Sequence, residues 1–138
     1  MRFDDDIPTS PLISILYREH SKYINEKAKE ENLSYGLQPI LVKIYRENEI
    51  IQEELARAFN LNESTIARNL KKLEDKGFIE RIPEKRTKII KVTPKGAKIA
   101  QKVMDYDDEW DDKIKSNLSD EEYTIFKETL KKICEDLT

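Results

Sequence analysis

The sequence predicts a mainly α-helical fold carrying one small β-hairpin, and three observations predict it. Apolar residues recur at spacings of three and four over most of the 138 residues, the mark of helices with one buried face. The period changes only between Phe78 and Val92, where β-branched residues gather. The chain has 3 Gly and 5 Pro, too few for a turn-rich all-β fold.

The first helix runs from Ser10 to about Asn32, opened by Ser10 as a cap and Pro11 in the first turn. Its apolar face is Leu12, Ile13, Leu16, His20, Tyr23, Ile24 and Ala28. The stretch 32–36 breaks it. A second helix spans about Leu37 to Arg46, with Pro39 tolerated near its start and Leu37, Ile40, Leu41, Ile44 and Tyr45 as its buried stripe. Asn48 and Glu49 form a turn. A short helix from Ile51 to Phe59 turns Leu55, Ala56 and Phe59 inward and ends at Asn60, a residue type that accepts the left-handed conformation. Asn62 caps the next helix, 62–76, whose Ile66, Leu70 and Leu73 face the core, and Gly77 lies just past its end.

Phe78–Ile82 and Lys88–Val92 read as two strands, joined by the polar link 83–87. Thr93 and Pro94 then open a helix over about 94–115. It contains an acidic run, Asp105 to Asp112, read as a solvated face; a metal site is the alternative, though the run lacks the Asp/Asn alternation and Gly of a calcium loop. Ser119 with Glu122 three residues later is a capping box, and Tyr123, Phe126, Leu130, Ile133, Cys134 and Leu137 give the last helix its apolar stripe.

Composition bounds the function. The length suits a single domain over 1–138, with long terminal helices that need a partner to cover them. One Cys allows no internal disulfide, and one Cys with one His is too few for a structural zinc site. Apolar runs of about four residues are far short of a membrane span, and the acidic start is not a signal peptide, so a cytoplasmic protein is expected. The net charge of −3 hides an asymmetry: residues 57–98 carry 12 Lys/Arg against 5 Asp/Glu, and the remainder 13 against 23. A basic middle in an acidic chain is what a polyanion-binding segment produces, although a solvated charged face gives the same count.

Two helices joined by a tight turn and followed by a hairpin form the order of a winged helix-turn-helix. The helix 62–76 is then placed to enter a DNA major groove. Ser64, Thr65, Arg68, Asn69 and Lys72 are its candidate contacts, since Arg pairs bidentately with guanine and Asn with adenine. Lys85, Arg86 and Lys88 at the hairpin tip face the neighbouring minor groove or phosphates. Double-stranded DNA is the partner this surface implies.

The segment QEELARAFNLNESTIARNLKKLEDKGFIER, residues 52–81, followed by EKRTKIIKVTPKG, residues 84–96, resembles the MarR family of winged-helix regulators. The resemblance implies a homodimer formed through N- and C-terminal helices, here 10–34 and 98–138, around a winged helix-turn-helix at 36–96. It implies a repressor on a palindromic operator, responsive in many members to a small lipophilic or phenolic effector or to oxidants. By position it carries DNA contact onto Ser64, Thr65 and Arg68 and a minor-groove role onto Arg86. Glu84 stands where the family has Asp, the wing tip is shorter, Ile51 replaces a capping Ser or Thr, and Val92 replaces Leu.

Tyr17, His20 and Tyr45 are candidate linings of an effector pocket; core or interface packing is the alternative for each. Cys134 reads as a packed structural thiol, with an oxidant sensor as the alternative. No nucleophile–base pairing, phosphate loop or metal cluster stands out, so no enzyme and no cofactor is expected. The competing function is a winged-helix protein-interaction module that has lost DNA binding.

Overall fold

A computed structural model describes residues 2–84 and 86–138. The elements run α1 (Thr9–Lys27), α2 (Gln38–Glu47), β1 (Glu49–Ile51), α3 (Gln52–Phe59), α4 (Glu63–Asp75), β2 (Ile79–Glu84), β3 (Thr87–Val92), α5 (Pro94–Lys115) and α6 (Asp120–Leu137). Two 3₁₀ turns, Lys29–Glu31 and Tyr35–Leu37, connect α1 to α2.

The hydrophobic core sits in the middle of the chain. Leu41, Ile44, Leu55, Ile66, Leu70 and Leu73 are fully enclosed, with Ile90 of β3 and Ala100 of α5 closing the cluster. With Phe78 and Ile79, also in the cluster, these residues represent every apolar segment marked between Leu37 and Val92, and Ala100 adds the helix beyond. Gln38 is buried with them, and its amide donates to the Leu33 carbonyl at 3.2 Å, which satisfies it.

Local chemistry sets the ends of α3 and α4. Asn60 takes φ 50°, so the Leu61 amide turns back to donate to the Ala56 carbonyl. Asn62 caps α4: its side-chain oxygen accepts from the Thr65 amide at 2.8 Å. Gly77 takes φ 78°, and the amides of Gly77 and Phe78 donate to Glu74 and Leu73, the paired bonds of a Schellman ending. The capping box of α6 forms as expected, and its bonds to Ser119 hold the Glu122 carboxyl below the usual range.

Three expectations are corrected. The first helix ends at Lys27, and Pro8 precedes it as the cap residue, so Ser10 lies inside the helix. Its apolar face is split: Ile24 and Ala28 join the core, while Ile13 and Leu16 stay exposed. Asn48 does turn, at φ 63°, but residues 49–51 form a third strand rather than a turn and helix start. The sheet order is β1-β3-β2, antiparallel throughout, with Ile50 opposite Ile90 and Ile79 opposite Val92. Pro83 lies on the edge strand β2, where its missing amide interrupts no inner ladder.

The start of α5 is bolted to the end of α4. The Thr93 hydroxyl donates to the Gly77 carbonyl at 2.6 Å and accepts from the Gly96 amide at 3.0 Å. Gly96 packs directly on the Phe78 carbonyl, where a β-carbon would overlap it. Gly36, by contrast, has open space around its α-carbon. Gly96→Ala is expected to cost about 1–3 kcal/mol through overpacking, and Gly36→Ala well under that, as read by urea denaturation of both variants.

Candidate nucleic-acid interface

Helix α4 has two chemically distinct faces. Ile66, Leu70 and Leu73 are enclosed by α3 and β2, while Ser64, Arg68 and Lys72 are exposed and Thr65 and Asn69 half-buried beside them. The apolar stripe therefore fixes which side chains face outward. The outward set is the one expected from the spacing.

The polar end of α4 is internally connected. The Ser64 hydroxyl donates to the Asn62 side-chain oxygen at 2.9 Å, the oxygen that also caps the Thr65 amide. One turn on, the Arg68 guanidinium donates to the Thr65 hydroxyl at 3.3 Å. At the far end, Glu74 meets Arg81 of β2: Nε lies 3.4 Å from one carboxylate oxygen, and Nη2 donates to the other at 3.4 Å. The Arg81 side chain is 16% exposed and that of Glu74 41%, so the pair is a half-shielded tie between α4 and the hairpin.

The hairpin is tight. Glu84 pairs with Thr87, leaving a two-residue tip, and the Thr87 hydroxyl donates to the Glu84 carbonyl. Arg86 at that tip and Lys88 on β3 are exposed. Lys85 lies outside the described residues. Lys91 is engaged elsewhere, bonded to Glu49 at 3.0 Å, and that contact raises its pKa.

Of the expected effector residues, Tyr17 and His20 line one groove together, both against the Tyr35 ring, and Tyr45 lies apart. His20 sits at a junction: Nε2 is 3.2 Å from Asp107, and Nδ1 is 2.6 Å from the Tyr35 hydroxyl. Burial, then the proximity of Tyr17 and Asp107, raises the Tyr35 pKa, so the phenol keeps its proton. The Trp110 ring packs on His20 edge-on. On one side of this junction lies a cleft of about 340 Å³ lined by Pro39, Val42, Lys43, Arg46 and Phe59. On the other lies a larger groove of about 560 Å³ between α1, α5 and α6, which Tyr17 lines. Tyr45 lines neither; its hydroxyl accepts from Gln101 at 2.8 Å.

Sequence reasoning missed Tyr35, Asp107 and Trp110. Tyr35 fell in a stretch read as a helix break, and Asp107 in a run read as solvated. Asp107 and Glu109 are exposed, but they turn toward α1: Glu109 accepts from the Tyr23 hydroxyl at 2.9 Å and pairs with Lys27 at 3.6 Å. Cys134, expected to be packed, is exposed on the wall of the larger groove.

A family profile described as MarR family matches residues 38–87. The "HTH-type transcriptional regulator BilQ" of Clostridium symbiosum is 34% identical over 112 residues, covering 79% of this chain and 78% of that protein. The chain belongs to the MarR family. A crystal structure of MarR superposes with a TM-score of 0.83 at 32% identity, over 99% of this chain and 95% of that one. An S. aureus MepR–DNA complex shares the fold, with a TM-score of 0.86 at 24% identity over 95% and 99% of the two chains. As a MarR-family winged helix, the protein has every element of the helix-turn-helix and wing in the order expected from its sequence.

The Asn62 cap carries both the Thr65 amide and the Ser64 hydroxyl. Asn62→Ala is expected to lower stability by about 1 kcal/mol and Asn62→Asp by much less, measured by denaturant unfolding of the two variants.

Proposed function

We propose that this MarR-family protein is a sequence-specific, double-stranded-DNA-binding transcription regulator, acting as a homodimeric repressor on a palindromic operator. The observation that carries the reading is α4: an apolar face locked into the core leaves Ser64, Arg68 and Lys72 exposed, with Thr65 and Asn69 half-buried beside them. Arg86 and Lys88 extend that basic surface from the hairpin, with Lys85 assigned beside them from the sequence. That the fold neighbour MepR is a DNA complex supports DNA as the partner. Base contacts come from α4 and positioning contacts from the hairpin.

What a single chain leaves uncovered supports the homodimer. Helix α6 has 18 residues and none of them is buried. Ile13, Tyr17 and Ile125 are 61%, 61% and 57% exposed, Leu130 and Ile133 are exposed too, and Ile13, Tyr17 and Leu130 line one groove. A helix of that kind gains its stability from packing, and a second copy of α1 and α6 supplies it. The segments 10–34 and 98–138 are thus assigned to dimerisation and 36–96 to DNA. Two copies of α4 then enter major grooves about 34 Å apart on a palindrome. The cleft beside His20 and Tyr35 is assigned to a small lipophilic or phenolic effector, and the protein to the cytoplasm, without catalytic activity.

The test is fluorescence anisotropy with the DNA upstream of the protein's own coding sequence and with duplexes enriched from a random pool. Arg68→Ala is expected to weaken the best duplex by about 1–3 kcal/mol and to relax specificity. Arg86→Ala is expected to weaken all duplexes more evenly and to flatten the salt dependence by about one unit of slope. Failure to bind any duplex at low salt overturns the reading in favour of a protein-interaction module.

Leu130→Asp places a charge in the apolar groove. Sedimentation is expected to shift from two chains to one, with affinity for a palindrome falling far more than affinity for a half-site.

A further inference from the structure

The hydrogen bonds at the start of α4 distribute roles that position alone does not. A serine hydroxyl has one proton, and that of Ser64 is committed to Asn62. Thr65 is half-buried, one helical turn before Arg68, and its hydroxyl oxygen takes a guanidinium proton at 3.3 Å. Being β-branched, Thr65 is restricted at χ1 to two main rotamers in a helix, and its oxygen meets Arg68 in the one adopted here. Arg68 is exposed and held by no other side chain among the described residues. A guanidinium has five donors, so one bond to Thr65 leaves a fork free for the two acceptors of a guanine edge.

We propose that Thr65 is a positioning residue for base reading: its hydroxyl orients the Arg68 guanidinium, and Thr65 affects sequence discrimination through Arg68 rather than by its own contact with a base. The inference rests on the DNA-reading function proposed above. It predicts that Thr65 has no sequence preference of its own. Its removal lets the arginine sample orientations that do not match one base pair, and discrimination at that base pair falls.

The experiment uses a duplex enriched by the unmodified protein from a random 30-bp pool, together with its single-base-pair variants. Affinities are measured for the unmodified protein, Thr65→Ala, Thr65→Ser, Arg68→Ala and the Thr65→Ala/Arg68→Ala double variant. Circular dichroism checks that each keeps its helices. An Arg–guanine pair discriminates by about five- to 150-fold, and Arg68→Ala is expected to abolish that ratio at one base pair. Thr65→Ala is expected to reduce the ratio at the same base pair and at no other. Thr65→Ser, which keeps the hydroxyl, is expected to restore most of it, and the double variant to match Arg68→Ala alone. A Thr65→Ala penalty that is equal across sequences, persists in the Arg68→Ala background, or is absent overturns the proposal while leaving DNA reading intact. If no duplex is enriched, the DNA-reading function falls and the proposal with it; if Arg68→Ala discriminates as well as the unmodified protein, DNA reading stands and the proposal alone falls.

Discussion

The structure depends on the joint where α4, β2 and α5 meet. Thr93 caps α5 and, through the same hydroxyl, ties it to Gly77 at the end of α4. The Thr93 amide donates to the Phe78 carbonyl, and Gly96 closes on that carbonyl from the other side. The Lys95 ammonium reaches the Lys76 carbonyl and lies over the Phe78 ring. Each contact is small, but those of Thr93, Gly77, Phe78 and Gly96 involve backbone or a short side chain with little freedom to lose. Direction in the reading helix, the hairpin and the long α5 is therefore settled at one place.

Away from that joint, α1 is held by polar ties more than by core packing. His20, Tyr23 and Lys27 all reach carboxylates on α5, and Tyr106 of α5 reaches back to Glu31. Burial, then the nearby Glu31 carboxylate, raises the Tyr106 pKa, so the phenol stays a donor. Exposed pairs of this kind are worth little singly. The acidic stretch of α5 thus sets the position of α1 while contributing modestly to the stability of a single chain.

The fold was legible where periodicity and punctuation agreed. Asn60, Asn62, Gly77, Thr93 and Ser119 each mark a real helix end, because each acts through its own side chain or backbone freedom within a few residues. The strand 49–51 was not legible. Three residues are too few to show alternation, and their pairing with Lys91, Ile90 and Ile89 is a long-range fact. The outward face of α4 could be read because its inward face could. The surroundings of His20 could not, since Tyr35, Asp107 and Trp110 come from segments far apart in the chain and signal nothing locally. Cys134 was expected to be packed and is exposed, because the period of an apolar stripe tells which residues share a helix face and not what covers that face.

The 22 residues of α5 run without a break from the Thr93 joint toward α6. At 1.5 Å per residue that is a rod of about 33 Å. A tilt of roughly 5° about the joint swings its far end by about 3 Å, by the same geometry. The rod is a lever with its fulcrum beside the reading helix, so a small angular change at one end becomes a displacement comparable to an atom's diameter at the other.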